Sequence, residues 1–131
     1  MLLVGVALAL AFALSLCWAP AGAAKHRGFK TKVTLSHPSD TQFAGRVSSK
    51  LKGCRKQRVV NLFYTDPVTG QRQPLGVDRT NKKGRYEMDL SRPAFGGTYQ
   101  TQVPKVSKRK SLLCRAGKSN VVTVPTVPLT P

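Results

Sequence analysis

Acidic residues are scarce in this chain: five Asp and Glu stand against 22 Lys and Arg, a formal net charge of +17. Histidine is nearly absent, with only His26 and His37, both close to the start. No segment carries an apolar period of 3.6 residues over a useful length, and no second long apolar run follows the first one. Each shortage excludes a class of function. Two histidines without a cysteine or carboxylate pattern around them make a poor metal site. Nucleophilic catalysis needs a Ser or Cys beside an oriented base, and so few histidines leave little to build one from. Glu87 and Asp89 fall on one face of a strand, where they solubilise that face and pair with neighbouring Lys or Arg rather than act as a carboxylate pair. Without a recognition helix or an aromatic platform, nucleic-acid recognition is not the expected purpose of the charge. Without an amphipathic cationic helix, a membrane-active effector is the weaker alternative. The expectation is a protein that is not an enzyme, with no catalytic residues, cofactor or metal.

What the chain does contain begins with an apolar run over residues 2–16 that ends in Ala21-Gly22-Ala23. It is too short to cross a membrane comfortably and carries an A-x-A site, so residues 1–23 read as a signal peptide cut after Ala23. No Lys or Arg precedes the run. An uncleaved N-terminal anchor and lipidation at Cys17 are the competing readings, although Leu16 stands where a lipidated Cys follows a small residue. Once the signal is removed, Cys54 and Cys114 remain. Two cysteines in a small exported domain read as one disulfide, closing a loop of about 60 residues with a chain-entropy contribution of roughly 4 kcal/mol. A metal pair or a reactive thiol fits less well, because neither Cys has a Cys or His at ligand spacing.

Residues 24–31 are basic and without period, which predicts a loose N-terminal arm. Val33 and Leu35 predict a short first strand, broken by Pro38 and Asp40. Residues 42–49 predict a second, with Gly45 marking a bulge or a close backbone approach. Residues 50–56 form a basic loop. Over 58–65, Val60, Leu62 and Tyr64 alternate with Val59, Asn61 and Phe63, which predicts a central strand covered on both faces. Asp66-Pro67-Val68-Thr69-Gly70 is a turn. Residues 77–90, V-D-R-T-N-K-K-G-R-Y-E-M-D-L, predict a central β-hairpin whose turn is made by Asn81 and Gly84 and whose Tyr86, Met88 and Leu90 enter the core. Residues 98–106 predict a strand with Tyr99, Thr101 and Val103 on one face and Pro104 at an edge or end. A charge cluster at 107–110, Leu112-Leu113-Cys114, a loop at 115–120 and a last strand at 121–124 complete the domain, and residues 125–131 are a Pro/Thr-rich tail. About seven short strands at turn spacings near ten residues predict an all-β, antiparallel β-sandwich over 32–124.

The turn V-D-R-T-N-K-K-G-R-Y resembles the T-[DN]-x-x-G-x-[YF] turn of carboxypeptidase-regulatory-like domains, which belong with transthyretin-like and Cna-B-like sandwiches. G-R-V-S-S-K-L-K-G-C-R-K-Q-R-V-V-N-L-F-Y is similar to the start of that module, and Y-Q-T-Q-V with C-R-A-G-K-S to its last two strands. The likeness covers residues 45–124 and extends to secreted, Lys-rich single-domain versions in actinobacteria that carry one Cys in each of these loops. The resemblance implies a binding or structural module. Transthyretin-like hydrolases need a His/Arg cluster and a Tyr-Arg-Gly-Ser ending, whereas this chain ends Leu129-Thr130-Pro131, so their activity does not carry over. Asp78 and Asn81 sit where related sandwiches sometimes hold calcium, but Lys82, Lys83 and Arg85 surround them and oppose a divalent cation.

Two charge maxima flank the cysteines. Lys50, Lys52, Arg55, Lys56 and Arg58 lie around Cys54; Lys105, Lys108, Arg109, Lys110, Arg115 and Lys118 lie around Cys114. A Cys54–Cys114 bond would bring them to one end of the sandwich, away from the Asn81–Gly84 turn. The expected function is a secreted, cell-surface-associated module whose basic loops bind anionic cell-envelope polymer, acidic polysaccharide or lipid headgroups. The competing readings are a solvated basic surface that confers solubility alone and an accessory or enzyme-associated domain with an unrecognised catalytic activity. The sequence leaves the oligomeric state open.

Overall fold

A computed structural model describes residues 27–109 and 112–126. The expected signal segment 1–23, residues 24–26 of the arm with His26, Lys110 and residues 127–131 of the tail lie outside the described residues. In chain order the strands are β1 (Arg27–Phe29), β2 (Lys32–Ser39), β3 (Gln42–Ser48), β4 (Val59–Thr65), β5 (Arg72–Arg79), β6 (Arg85–Asp89), β7 (Gly97–Val103), β8 (Val106–Arg109), β9 (Leu112–Cys114), β10 (Gly117–Lys118) and β11 (Val122–Val124). A short 3-10 turn, Lys52–Cys54, precedes β4.

The chain folds as an antiparallel β-sandwich. One sheet has the order β2-β3-β6; the other runs β10-β7-β4-β5, with β11 sharing the β10 edge of β7. The inward faces alternate as a half-buried strand requires. Val33 and Leu35, Phe43 and Val47, and Tyr86 and Met88 come from the first sheet; Val60, Leu62 and Tyr64 with Tyr99 and Val103 come from the second. Phe43 and Tyr99 meet across the core at 4.6 Å between ring centroids. A third small sheet, β1-β9-β8, is attached beside the sandwich, with β1 parallel to β9.

Several expectations change. The 77–90 segment is not a hairpin: β5 pairs with β4 and β6 pairs with β3, so the turn between them carries the chain from one sheet to the other. Local alternation cannot distinguish a hairpin from such a corner, because both place the same residues inward. Part of the arm is ordered as β1, and its partner strand β9 is too short to have shown a period. Pro38 does not end the first strand; β2 continues to Ser39 through an irregularity between Ser36 and Ser39, which spares the ladder a missing N–H. β4 is central within its sheet, yet only one of its faces enters the core. Val59, Asn61 and Phe63 are half-buried on the other face, where the Arg72 guanidinium covers the Phe63 ring at 4.0 Å.

Two details hold the sheets in register. Gly45 pairs with both Leu35 and Tyr86, and a Cβ there would collide with the Thr34 carbonyl and the Tyr86 ring. The missing side chain lets the Tyr86 hydroxyl cross β3 to donate to the Thr34 carbonyl at 2.6 Å, while also meeting Thr101 Oγ1 at 2.9 Å. On the opposite flank, Asn120 interrupts the edge between β10 and β11. Its amide accepts from Leu35 N–H at 2.9 Å and donates to Leu35 C=O at 3.0 Å. One side chain thereby acts as a strand partner for the free edge of β2.

Candidate functional site

The end of the sandwich that holds the 49–58, 80–85 and 104–118 connections contains most of the positive charge. Strand directions explain the separation. Asp40, Asp66 and Asp89 fall at the opposite end, beside the Ser39/Gln42 pairing and the 65–72 turn, and Asp78 and Glu87 lie midway along their strands. The three connections at the basic end contain no Asp or Glu.

The disulfide closes this end. Cys54 and Cys114 are bonded, with Cα atoms 5.4 Å apart and both residues fully buried. Such a bond belongs to an oxidising compartment. Among the described residues, no helix is long and apolar enough to cross a membrane.

Beside the disulfide, Arg58 is the largest fully buried side chain, 1% exposed. Its Nη1 donates to the Cys54 carbonyl at 2.9 Å and to Thr31 Oγ1 at 3.3 Å. Its Nη2 donates to the carbonyls of Pro104 at 2.9 Å and Arg115 at 3.1 Å. Burial pushes the guanidinium below its ordinary pKa. All of these partners are neutral oxygens, one from each segment that must converge here. Arg58 is therefore turned into the interior, whereas its place in a basic run predicted a solvent-facing cation. It stands immediately before β4, and like Val60 and Leu62 it is buried, in step with the strand's alternation. That inward parity was the available signal.

The loop around Cys54 is tied to the cross-sheet turn through Thr80. The Thr80 hydroxyl accepts from Arg58 N–H at 2.8 Å and donates to the Arg55 carbonyl, and its carbonyl accepts from Gln57 N–H at 3.0 Å. Gln57 takes φ 55° to allow this. In the turn itself, Asn81 Oδ1 accepts from the N–H groups of Lys83 at 2.9 Å and Arg85 at 3.0 Å. Gly84 has φ 80° and a Cβ there would meet the Val47 carbonyl. Asp78 Oδ2 accepts from Glu87 N–H at 2.9 Å, so both residues once considered for calcium serve the backbone. His37 stacks on Phe43 at 4.5 Å between centroids.

These contacts produce a groove. A cavity of about 940 Å³ is lined by Lys30, Lys32, Arg46, Lys50, Arg55 and Lys118, with Val33 in its wall. A second, of about 590 Å³, is lined by Lys52, Lys56, Lys82 and Lys83 together with the same Arg46 and Arg55. Arg46 and Arg55 line both cavities, which therefore lie side by side between β2 and the cross-sheet turn, and no carboxylate lines either part. Arg55 is held by its own Nε, which donates to the Ser49 carbonyl at 2.7 Å.

The groove gathers Lys50, Lys52, Arg55, Lys56 and Lys118 from the expected set. It leaves out others. Lys105 lines a separate depression beside Arg79 and Val106. Lys108 is exposed on β8, outside the groove, and Arg115 is exposed and packs over Gly28. Only the backbone of Arg109 is described. Lys30, Lys32, Arg46, Lys82 and Lys83 were absent from the expected set. Lys82 and Lys83 belong to the turn that the sequence placed away from any working surface; because that turn passes between sheets, it arrives beside the Cys54 loop. Comparison with family models and with curated proteins finds no match.

Proposed function

We propose that this chain is a secreted, non-catalytic β-sandwich module that binds a linear anionic polymer of the cell envelope in the groove between the Cys54 loop and the Asn81–Gly84 turn. The observation that carries this reading is the pair of neighbouring cavities that share Arg46 and Arg55, lined by Lys and Arg with no carboxylate. A basic surface that served solubility alone would need no recess, whereas here ten Lys and Arg line one. Low-dielectric walls focus the potential of recessed cations, which favours a polyanion able to enter. A recess also suits a chain better than the plane of lipid headgroups. Secretion is supported by the disulfide and by the 1–23 segment. Membership among carboxypeptidase-regulatory-like domains is part of the same proposal, supported by the two-sheet architecture and by the motif around Asn81 and Gly84.

The test is binding to long-chain inorganic polyphosphate across a salt series. Replacing Lys50, Lys52, Lys82 and Lys83 with Gln should lower the slope of log affinity against log salt by about 3, near 0.7 per lost contact. A second variant replaces Arg72, Arg92, Lys105 and Lys108 with Gln, removing equal charge outside the groove. It should change the slope by less than half as much. Equal slopes for the two variants would mean that net charge alone drives association, and the proposal would fail.

A further inference from the structure

Lys118 belongs to two cavities. Besides the basic groove, it lines a depression of about 280 Å³ with Asn61, Gln102, Pro104, Ala116 and Gly117. The pairing registers explain why. Lys118 on β10 is opposite Gln102 on β7, and Gln102 is opposite Asn61 on β4. All three sit on the outward face, since Val60, Leu62, Thr101 and Val103 point into the core. Direct cross-strand neighbours are about 5 Å apart, so the three side chains form a row across the sheet, one strand spacing per step.

The two carboxamides are half-buried, and among the described residues neither makes a side-chain hydrogen bond. The adjacent Gln100 differs: its Nε2 donates to the Ser119 carbonyl at 2.9 Å. Gln102 and Asn61 thus present donors and acceptors to whatever occupies the depression, between apolar walls made by Pro104 and Ala116. Neutral amides give no preference for an anion. They match groups that both donate and accept, which describes alcohols. No aromatic ring lines either cavity, so nothing there would stack a nucleobase.

We infer that the basic groove continues over Lys118 onto the Asn61–Gln102 pair, so that the polymer bound is a polyol phosphate, with hydroxylated units between its phosphates. This rests on the polyanion-binding reading above and specifies its ligand class. The cations take the phosphates, and the two amides take hydroxyls of the intervening units.

The experiment compares two probes on the full chain, poly(glycerol phosphate) and inorganic polyphosphate, which is a polyanion without hydroxylated units. Asn61→Ala/Gln102→Ala should weaken poly(glycerol phosphate) binding roughly five- to tenfold, the loss of about two modest hydrogen bonds, and leave polyphosphate binding unchanged. Asn61→Val/Gln102→Val keeps strand-compatible side chains and should reproduce the result if the alanine pair folds poorly. Equal weakening of both probes, or of neither, overturns the inference while leaving the groove as a general polyanion site. Failure of the unmodified chain to bind either probe overturns the groove reading itself, and this inference with it.

Discussion

Arg58 shows how one residue in a basic run can serve the interior. Its charge is removed from water, which is costly, and its five-donor fork is directed to carbonyls from the Cys54, Pro104 and Arg115 segments and to Thr31. Hydrogen bonds to a charged group are worth more than neutral ones, and removing the donor strands several buried acceptors. Arg58→Met relieves the desolvation of the guanidinium but leaves those acceptors unpaired. We expect the second effect to dominate, with a net loss of about 2–3 kcal/mol in urea unfolding. Polyphosphate affinity of the folded variant should be nearly unchanged, because Arg58 does not line the groove. A large loss of affinity at unchanged stability would return Arg58 to the binding set.

Among the elements, the corner between β6 and β7 depends on tyrosines. Tyr99, near the start of β7, donates from its hydroxyl to the Phe95 carbonyl at 2.6 Å, the tyrosine-corner arrangement found in Greek-key sandwiches. Tyr64 from β4 donates to the adjacent Gly96 carbonyl at 2.9 Å. Burial, with the neighbouring Tyr64 adding to it, pushes the Tyr99 hydroxyl up to about 12. A tyrosine ionises in the unfolded chain near its ordinary value of about 10. The contribution of Tyr99 is therefore complete below pH 10 and declines as pH rises toward 12. Tyr99→Phe should cost about 1 kcal/mol at pH 8. That cost should shrink between pH 10 and 12. Paired urea curves at the two ends of the range measure it. A cost that stays constant with pH would show that the hydroxyl is not the group involved.

For the whole molecule, the disulfide joins the Cys54 loop to the small β1-β9-β8 sheet across a sequence separation of 60. The loop-closure entropy it removes from the unfolded chain is about 4 kcal/mol, a large share of the stability of a domain this small. Cys54→Ser/Cys114→Ser should lose that amount in urea unfolding, and a loss below about 1 kcal/mol would mean that the Arg58 and Thr80 contacts hold the basic end without it. The pattern of charge also belongs to this scale. The strands of the two sandwich sheets are antiparallel, so connections alternate between ends, and the acid-free connections 49–58, 80–85 and 104–118 all return to one of them.

The all-β class, the alternating core residues and the Cys54–Cys114 bond were legible in the sequence, because strand alternation is local and two cysteines left in one small domain have few alternatives. Tyr86 and Met88, or Tyr99, Thr101 and Val103, declare their inward face without any knowledge of their neighbours. Which strands pair is a non-local matter. The 77–90 segment has the same pattern whether it folds back on itself or crosses to the other sheet, and only packing of β6 against β3 chose the crossing. That choice brought Lys82 and Lys83 beside Lys52 and Lys56, and strand register brought Lys118, Gln102 and Asn61 into one row. Proximity along the chain is a poor guide to such groups, since each of these sets is drawn from segments that meet only when both sheets are assembled. The same assembly withdrew Arg58 from solvent, for the reason that its position at the entry to β4, and not its charge, decides which way it points.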